Sequence, residues 1–201
     1  MPIDSRIITV SGTAVPLPGK DIDTDQITPA DAMKEITFDK AVSYLFRDAR
    51  KEDPNHPLND VKYKRASIMF VGENFGCGSS RETAPQAIKR SGIMAIVGES
   101  FAAIFAGNCK ANGIPTVTAS HDYVNHLMDL TRENPRTFYR IDLVSKTLNY
   151  NSTSVPIDIS EPTRIALMTG QWNALPMLEN NYAKIKEVSD RLAYASGFPS
   201  K

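Results

Sequence analysis

One segment concentrates residue types able to do chemistry: Gly72-Glu73-Asn74-Phe75-Gly76-Cys77-Gly78-Ser79-Ser80-Arg81-Glu82. It follows an apolar run, Ala66 to Val71, that reads as a buried strand. It opens a predicted helix, Arg81 to Ser91, with Pro85 in the first turn and Gly92 as a stop. The glycines let the backbone turn sharply and approach a ligand closely. Ser79 or Ser80 is expected at the helix N-cap, where free N–H groups and the helix dipole favour an anion. Arg81 adds a planar guanidinium that can hold a carboxylate through paired hydrogen bonds. The segment reads as a seat for a small anion, with a plain tight turn as the alternative.

Other chemistries fit this segment less well. A phosphate-binding P-loop needs Lys at the helix start, and no Lys lies between Gly72 and Glu82. A dinucleotide fingerprint needs a third small residue where Arg81 stands, so the position of Glu99 near that of a ribose-binding acid is read as coincidence. A serine nucleophile needs a base, usually His. His56 lies in a charged loop and His121 and His126 in a predicted surface helix, so all are read as solvated. The Gly-x-Ser-x-Gly elbow is also missing its second Gly. A catalytic serine here would be activated by the helix N-terminus and Arg81. The cysteines are Cys77 and Cys109. A 4Fe-4S cluster needs three or four thiolates, so this chain cannot hold one alone. Cys77 reads as a small packed residue or a mildly reactive thiol.

The elements that must position the loop follow an α/β rhythm with mixed sheet edges. Arg6 to Leu17 reads as an extended strand or hairpin arm, and residues 18–31 as an acidic loop. Phe38, Ala41, Val42, Leu45 and Phe46 have helical spacing over residues 38–48. Residues 49–64 read as a long surface loop. Ile93 to Val97 is too apolar to be half exposed and is expected to be a central parallel strand. Ser100 is expected to cap a helix ending near Gly113, before a strand at Ile114 to Thr118. A helix from His121 to Glu133, a hairpin and further strand within 138–159, and a short helix from Glu161 to Gly170 follow. An amphipathic helix over Leu178 to Ala195 ends the pattern.

The bulk numbers exclude several classes. The 201 residues are 41% apolar and 23% charged, ordinary for a soluble globular domain. Lys+Arg and Asp+Glu are both 23, so no basic excess points to nucleic acid. Zero net charge mildly favours association. No apolar run is long enough to span a membrane. The opening residues lack a signal-peptide pattern, and two cysteines make no disulfide framework. A reduced, cytoplasmic protein is expected.

The loop also resembles the signature of the swivelling domain of aconitases. Asp21-Ile22-Asp23-Thr24-Asp25-Gln26-Ile27-Thr28-Pro29-Ala30 is similar to that family's second signature, and Ser100 to Asn108 to its third. Order and spacing agree over about residues 10–120. Length and helical tail resemble the small subunits of the isopropylmalate dehydratase branch. The resemblance implies an α/β fold: a swivelling β/β/α domain over residues 1–160, a partly closed barrel flanked by helices, with residues 161–201 as its helical extension. It implies a large-subunit partner that carries a 4Fe-4S cluster, no cofactor held by this chain, and no nucleic-acid or membrane partner. It implies a hydro-lyase, active only with that partner, that dehydrates and rehydrates a hydroxy-dicarboxylate in leucine biosynthesis.

Carried onto this sequence, the family's serine base falls on Ser79 and its substrate-holding neighbour on Ser80. The carboxylate-binding arginine falls on Arg81 and the active-site aspartate on Asp25. Without the resemblance, Asp25 would read as a loop cap. Thr83 stands where family members commonly have His, which bears on the hydrogen bonding behind Arg81. Ala30 to Thr37 covers the family's specificity loop, with Met33, Lys34 and Ile36 as candidate substrate contacts. No Arg occurs from Ala30 to Leu45, which disfavours a citrate-type third carboxylate. Met33 and Ile36 suit an isopropyl group or ordinary packing equally. The rivals are a homoaconitase or methylmalate/maleate hydratase small subunit and, from another class, a non-catalytic anion- or nucleotide-binding module.

Overall fold

A computed structural model describes residues 5–34, 40–79, 81–173, 178, 181–192 and 194. Its strands form two four-stranded sheets. One is parallel and runs β2 (Ala14–Leu17), β3 (Ile68–Val71), β4 (Ala95–Gly98), β5 (Thr116–Thr118). The other is antiparallel and runs β1 (Thr9–Gly12), β6 (Tyr139–Asp142), β7 (Thr147–Tyr150), β8 (Thr153–Pro156). Every residue of β2, β3 and β4 is buried. That explains why these segments read as unbroken apolar runs: both faces of the parallel sheet are covered.

The period-two alternation of side chains sorts them into two cores. Ile68, Phe70, Ala95 and Val97 join Tyr139, Ile141 and Leu148 of the antiparallel sheet and Val124, Leu127 and Met128 of a helix. Met69, Val71 and Ile96 join Ala84, Ala87, Ile88, Phe105 and Cys109 of two other helices. Those two are α4 (Thr83–Arg90) and α5 (Ala103–Ala111), and the helix of the first core is α6 (His121–Glu133). The result is a β/β/α layering. The expected barrel resolves into two stitched sheets. They meet where β1 passes into β2, and again at an isolated bridge, where Thr118 N donates to Asp158 O at 2.8 Å and Asp158 N to Thr118 O at 2.7 Å. Among the described residues no ladder closes them into a barrel.

Several local expectations change. Arg6 to Leu17 is no hairpin arm: its two strands belong to different sheets. The helical pattern of 38–48 breaks into α2 (Ala41–Tyr44) and α3 (Arg47–Glu52), with Phe38 outside the described residues. Between them Phe46 takes a left-handed φ of 48°. Its ring is buried, and its N–H donates to Ile27 O at 2.8 Å. Core packing overrides helix continuity there. Residues 49–64 are more ordered than a surface loop, with 3-10 turns at Pro57–Asn59 and Val61–Tyr63 and a buried Tyr63. Helix α6 matches its expected span, with the Ser120 hydroxyl accepting from Tyr123 N. Helix α7 (Glu161–Thr169) ends at Gly170 with φ 79°. The terminal helix, α8 (Tyr182–Arg191), is shorter than its pattern and buries none of its residues.

Candidate active site

The three signature-like segments leave the carboxyl ends of β2, β3 and β4, where open α/β sheets bind ligands. They are bound to one another through their backbones. After β2 and β3, Gly76 N donates to Ile22 O at 2.7 Å, Thr24 N to Cys77 O at 2.9 Å, and Asp21 N to Glu73 O at 3.0 Å. The Thr24 hydroxyl donates to Ser79 O at 2.8 Å. After β4, the Ser100 hydroxyl accepts from Asn74 N at 2.8 Å, and Ser100 O accepts from Phe75 N at 3.1 Å. Ser100 therefore spends its hydroxyl across loops and does not cap α5, whose N-cap is Ala102.

Glycine is required at two of these positions. A Cβ on Gly72 would lie 2.1 Å from Gly19 O, so the loops could not approach. Gly76 has φ +79°, and its Cβ would lie 2.2 Å from Phe105 Cγ. Beside it, Phe75 is buried edge-on against Phe105, with ring centroids 5.3 Å apart. This aromatic anchor fixes the loop on the helix-side core.

Arg81 is the centre of the polar arrangement. Its side chain is only 8% exposed, whereas that of Asp25 is 55% exposed. The guanidinium grips the Asp25 carboxylate with both terminal nitrogens: Nη1 donates to Oδ1, and Nη2 donates to Oδ2 at 2.6 Å. Nη1 also donates to Thr28 O at 3.2 Å. Nε is buried without a hydrogen-bond partner among the described residues. A buried charge needs such pairing. Loop capping falls to Asp23, whose carboxylate accepts from Gln26 N at 2.8 Å in α1 (Thr24–Ile27). Thr83 shares a 3.2 Å hydrogen bond with the hydroxyl of Thr28, the residue whose carbonyl backs Arg81.

The expected N-cap role fails for Ser79. Helix α4 begins at Thr83, with Glu82 at the N-cap position. Arg81 is drawn toward α1 and Ser79 O toward Thr24, so regular helix starts only after them. The Ser79 side chain is exposed at the loop surface. Ser80 and Ile36 lie outside the described residues. Met33 and Lys34 belong to a 3-10 turn, Ala30–Lys34, and their side chains also lie outside the description.

Sequence reading missed two supports. Thr24 ties down Ser79 O, and the Asp-Thr-Asp triplet was its available signal. Asn112 is buried; its amide donates to Glu82 Oε1 at 2.7 Å and its oxygen accepts from Gln86 Nε2 at 2.6 Å. It pins the start of α4, and no local motif marks it.

The histidines serve elsewhere. His56 is half-buried rather than solvated: its Nδ1 accepts from Leu58 N, and burial lowers its pKa. His121 is exposed and pairs with Glu99 at 2.8 Å, which raises its pKa and gives Glu99 a partner of its own. Cys77 is half-buried in the loop, and Cys109 is buried in α5 with its thiol pKa pushed well up by desolvation. Among the described residues no three His, Cys, Asp or Glu side chains converge as metal ligands. The thiols present do not fit a cluster held by this chain.

A layered β/β/α domain with its glycine loop at the sheet's carboxyl edge defines a class. Residues 4–122 match the family model described as the aconitase C-terminal domain, and the chain belongs to that family. Relatives along nearly its whole length are more particular. The 3-isopropylmalate dehydratase small subunit of Thermus thermophilus is 44% identical over 193 residues, covering 94% of this chain and 96% of the relative. That of Synechocystis is 42% identical over 191 residues, with the same coverage of 94% and 96%. The solved structure of 3-isopropylmalate dehydratase (leuD) from Methanocaldococcus jannaschii superposes with a TM-score of 0.67 at 26% identity, covering 90% of this chain and 99% of that one. No described helix is long and apolar enough to cross a membrane.

Proposed function

We propose that this chain is the small subunit of a 3-isopropylmalate dehydratase, a hydro-lyase that converts 2-isopropylmalate to 3-isopropylmalate in leucine biosynthesis. The observation that carries the reading is identity of 42–44% to such subunits across 94% of the chain. Ser79 takes the proton from the carbon beside a substrate carboxylate. The net change is loss of that proton and the substrate hydroxyl together as water. The departing oxygen takes up a proton from an acid outside Ser79, and water then returns to the alkene with the positions exchanged. Arg81, two positions on, holds the carboxylate, and its positive charge favours a deprotonated Ser79 Oγ. Ser80 adds a hydroxyl beside it, and Asp25 faces Arg81. Met33, Lys34 and Ile36 are candidate contacts for the rest of the substrate. The absence of Arg from Ala30 to Leu45 favours an isopropyl group over a third carboxylate. The large subunit holds the 4Fe-4S cluster, whose open iron supplies Lewis-acid chemistry when bound. The proposal places the enzyme in the cytoplasm, which suits two unpaired cysteines.

The test is purification of the chain alone under anaerobic conditions, then mixing with its iron-loaded large subunit. The isolated chain should be colourless, free of iron and sulfide, and inactive, and turnover of isopropylmalate should appear on mixing. Stoichiometric iron in the isolated chain, or no turnover after mixing, would overturn the reading.

A further inference from the structure

Among the described residues, Asp25 is the side chain that the Arg81 fork grips. Thr28 O sits against Nη1, Nε is buried, and the Arg81 side chain as a whole is 8% exposed. Asp25, by contrast, is 55% exposed and stands on the end-on edge of the guanidinium, one carboxylate oxygen to each terminal nitrogen. That is the arrangement in which a guanidinium receives a ligand carboxylate. A carboxylate arriving from solvent meets the Arg81 fork at the place Asp25 holds.

We infer that Asp25 is an internal competitor that determines which carboxylates the site accepts. The inference rests on reading Arg81 as the substrate clamp. Asp25 is tethered to the same chain, three residues before Thr28, whose carbonyl backs the guanidinium. A tethered group acts at an effective concentration of about millimolar or more. A simple monocarboxylate offers Arg81 only the bonds that Asp25 already supplies, so it gains nothing by exchange. A ligand with a second anchoring group brings binding energy from elsewhere and displaces Asp25. The released carboxylate stays exposed and loses little by moving into water. The pair so broken is an ion pair with one exposed member, whose net worth is modest. The threshold is therefore high enough to reject small acids and low enough for an anchored dicarboxylate to pass. Among the described residues the buried Nε has no hydrogen-bond partner, so the same guanidinium keeps an unused donor in this arrangement.

The test uses acetate as probe and the full chain labelled with 15N-arginine. The Arg81 side-chain N–H resonances are followed as acetate is added to wild type, Asp25→Asn, and Asp25→Asn with Arg81→Gln. Asn keeps the shape and removes the competing charge at a half-exposed position. Acetate should bind Asp25→Asn about tenfold or more tightly than wild type, and this gain should vanish with Arg81→Gln. Equal affinity in wild type and Asp25→Asn would show that Asp25 does not hold the ligand's place. Weaker binding in Asp25→Asn would show that it positions Arg81 instead. Either result overturns the inference. Because the readout needs no turnover, failure of the assembled pair to process isopropylmalate remains a separate result that concerns the proposed function alone.

Discussion

Ser79→Ala in the assembled enzyme should lower kcat by about two to four powers of ten, the usual worth of a positioned acid–base group. KM should change far less, because the hydroxyl is asked to move a proton and Arg81 to hold the carboxylate. The geometry favours a clean substitution. The Ser79 side chain is exposed, while the backbone that places it is fixed by the 2.8 Å bond from Thr24 to Ser79 O. Removing Oγ leaves that bond intact. Steady-state kinetics together with a thermal melt separate the outcomes. A large fall in kcat with an unchanged melting temperature supports the role. Full activity in Ser79→Ala would move the base elsewhere, with Ser80 as the first residue to examine.

Arg81→Lys should raise KM about ten- to hundredfold while the two subunits still assemble. A charge-assisted hydrogen bond contributes roughly 1.5–3 kcal/mol, and each 1.4 kcal/mol is about a factor of ten. Lysine keeps the charge but is a point donor that cannot present two parallel N–H groups. It also loses the simultaneous hold on both oxygens of Asp25 and on Thr28 O. Some loss of thermal stability is therefore expected alongside the binding defect. The alternative is that Arg81 only ties α1 to the loop. In that case the melting temperature would fall and KM would stay as in wild type, and that combination would exclude the clamp.

Much of this site was legible because its residues announce their backbone needs. Gly72 and Gly76 sit where a Cβ would strike Gly19 O or Phe105, so the glycine spacing reported real close approaches. The unbroken apolar runs of β3 and β4 reported burial on both faces. Helix α6 carried its own cap and stripe, and its expected ends were right. What failed were features decided by partners distant in sequence. The position of Ser79 relative to α4 depends on Thr24, 55 residues earlier. The hydroxyl of Ser100 is taken by Asn74, 26 residues earlier, so the apparent helix cap is a loop brace. Phe46 breaks a regular helical pattern because the core beside Ile27 takes its ring. The pairing of Arg81 with Asp25 joins two motifs that were each singled out, yet spacing along the chain gave no hint of their contact. The resemblance supplied the roles, and the structure supplied the juxtaposition.

The most direct test of the central claim is kcat/KM of the reconstituted pair for 2-isopropylmalate, citrate and homocitrate, measured on one anaerobic preparation. The account predicts turnover of isopropylmalate with a preference of about ten- to hundredfold or more over either tricarboxylate, the worth of one missing charge-assisted contact. Preference for citrate or homocitrate would contradict it.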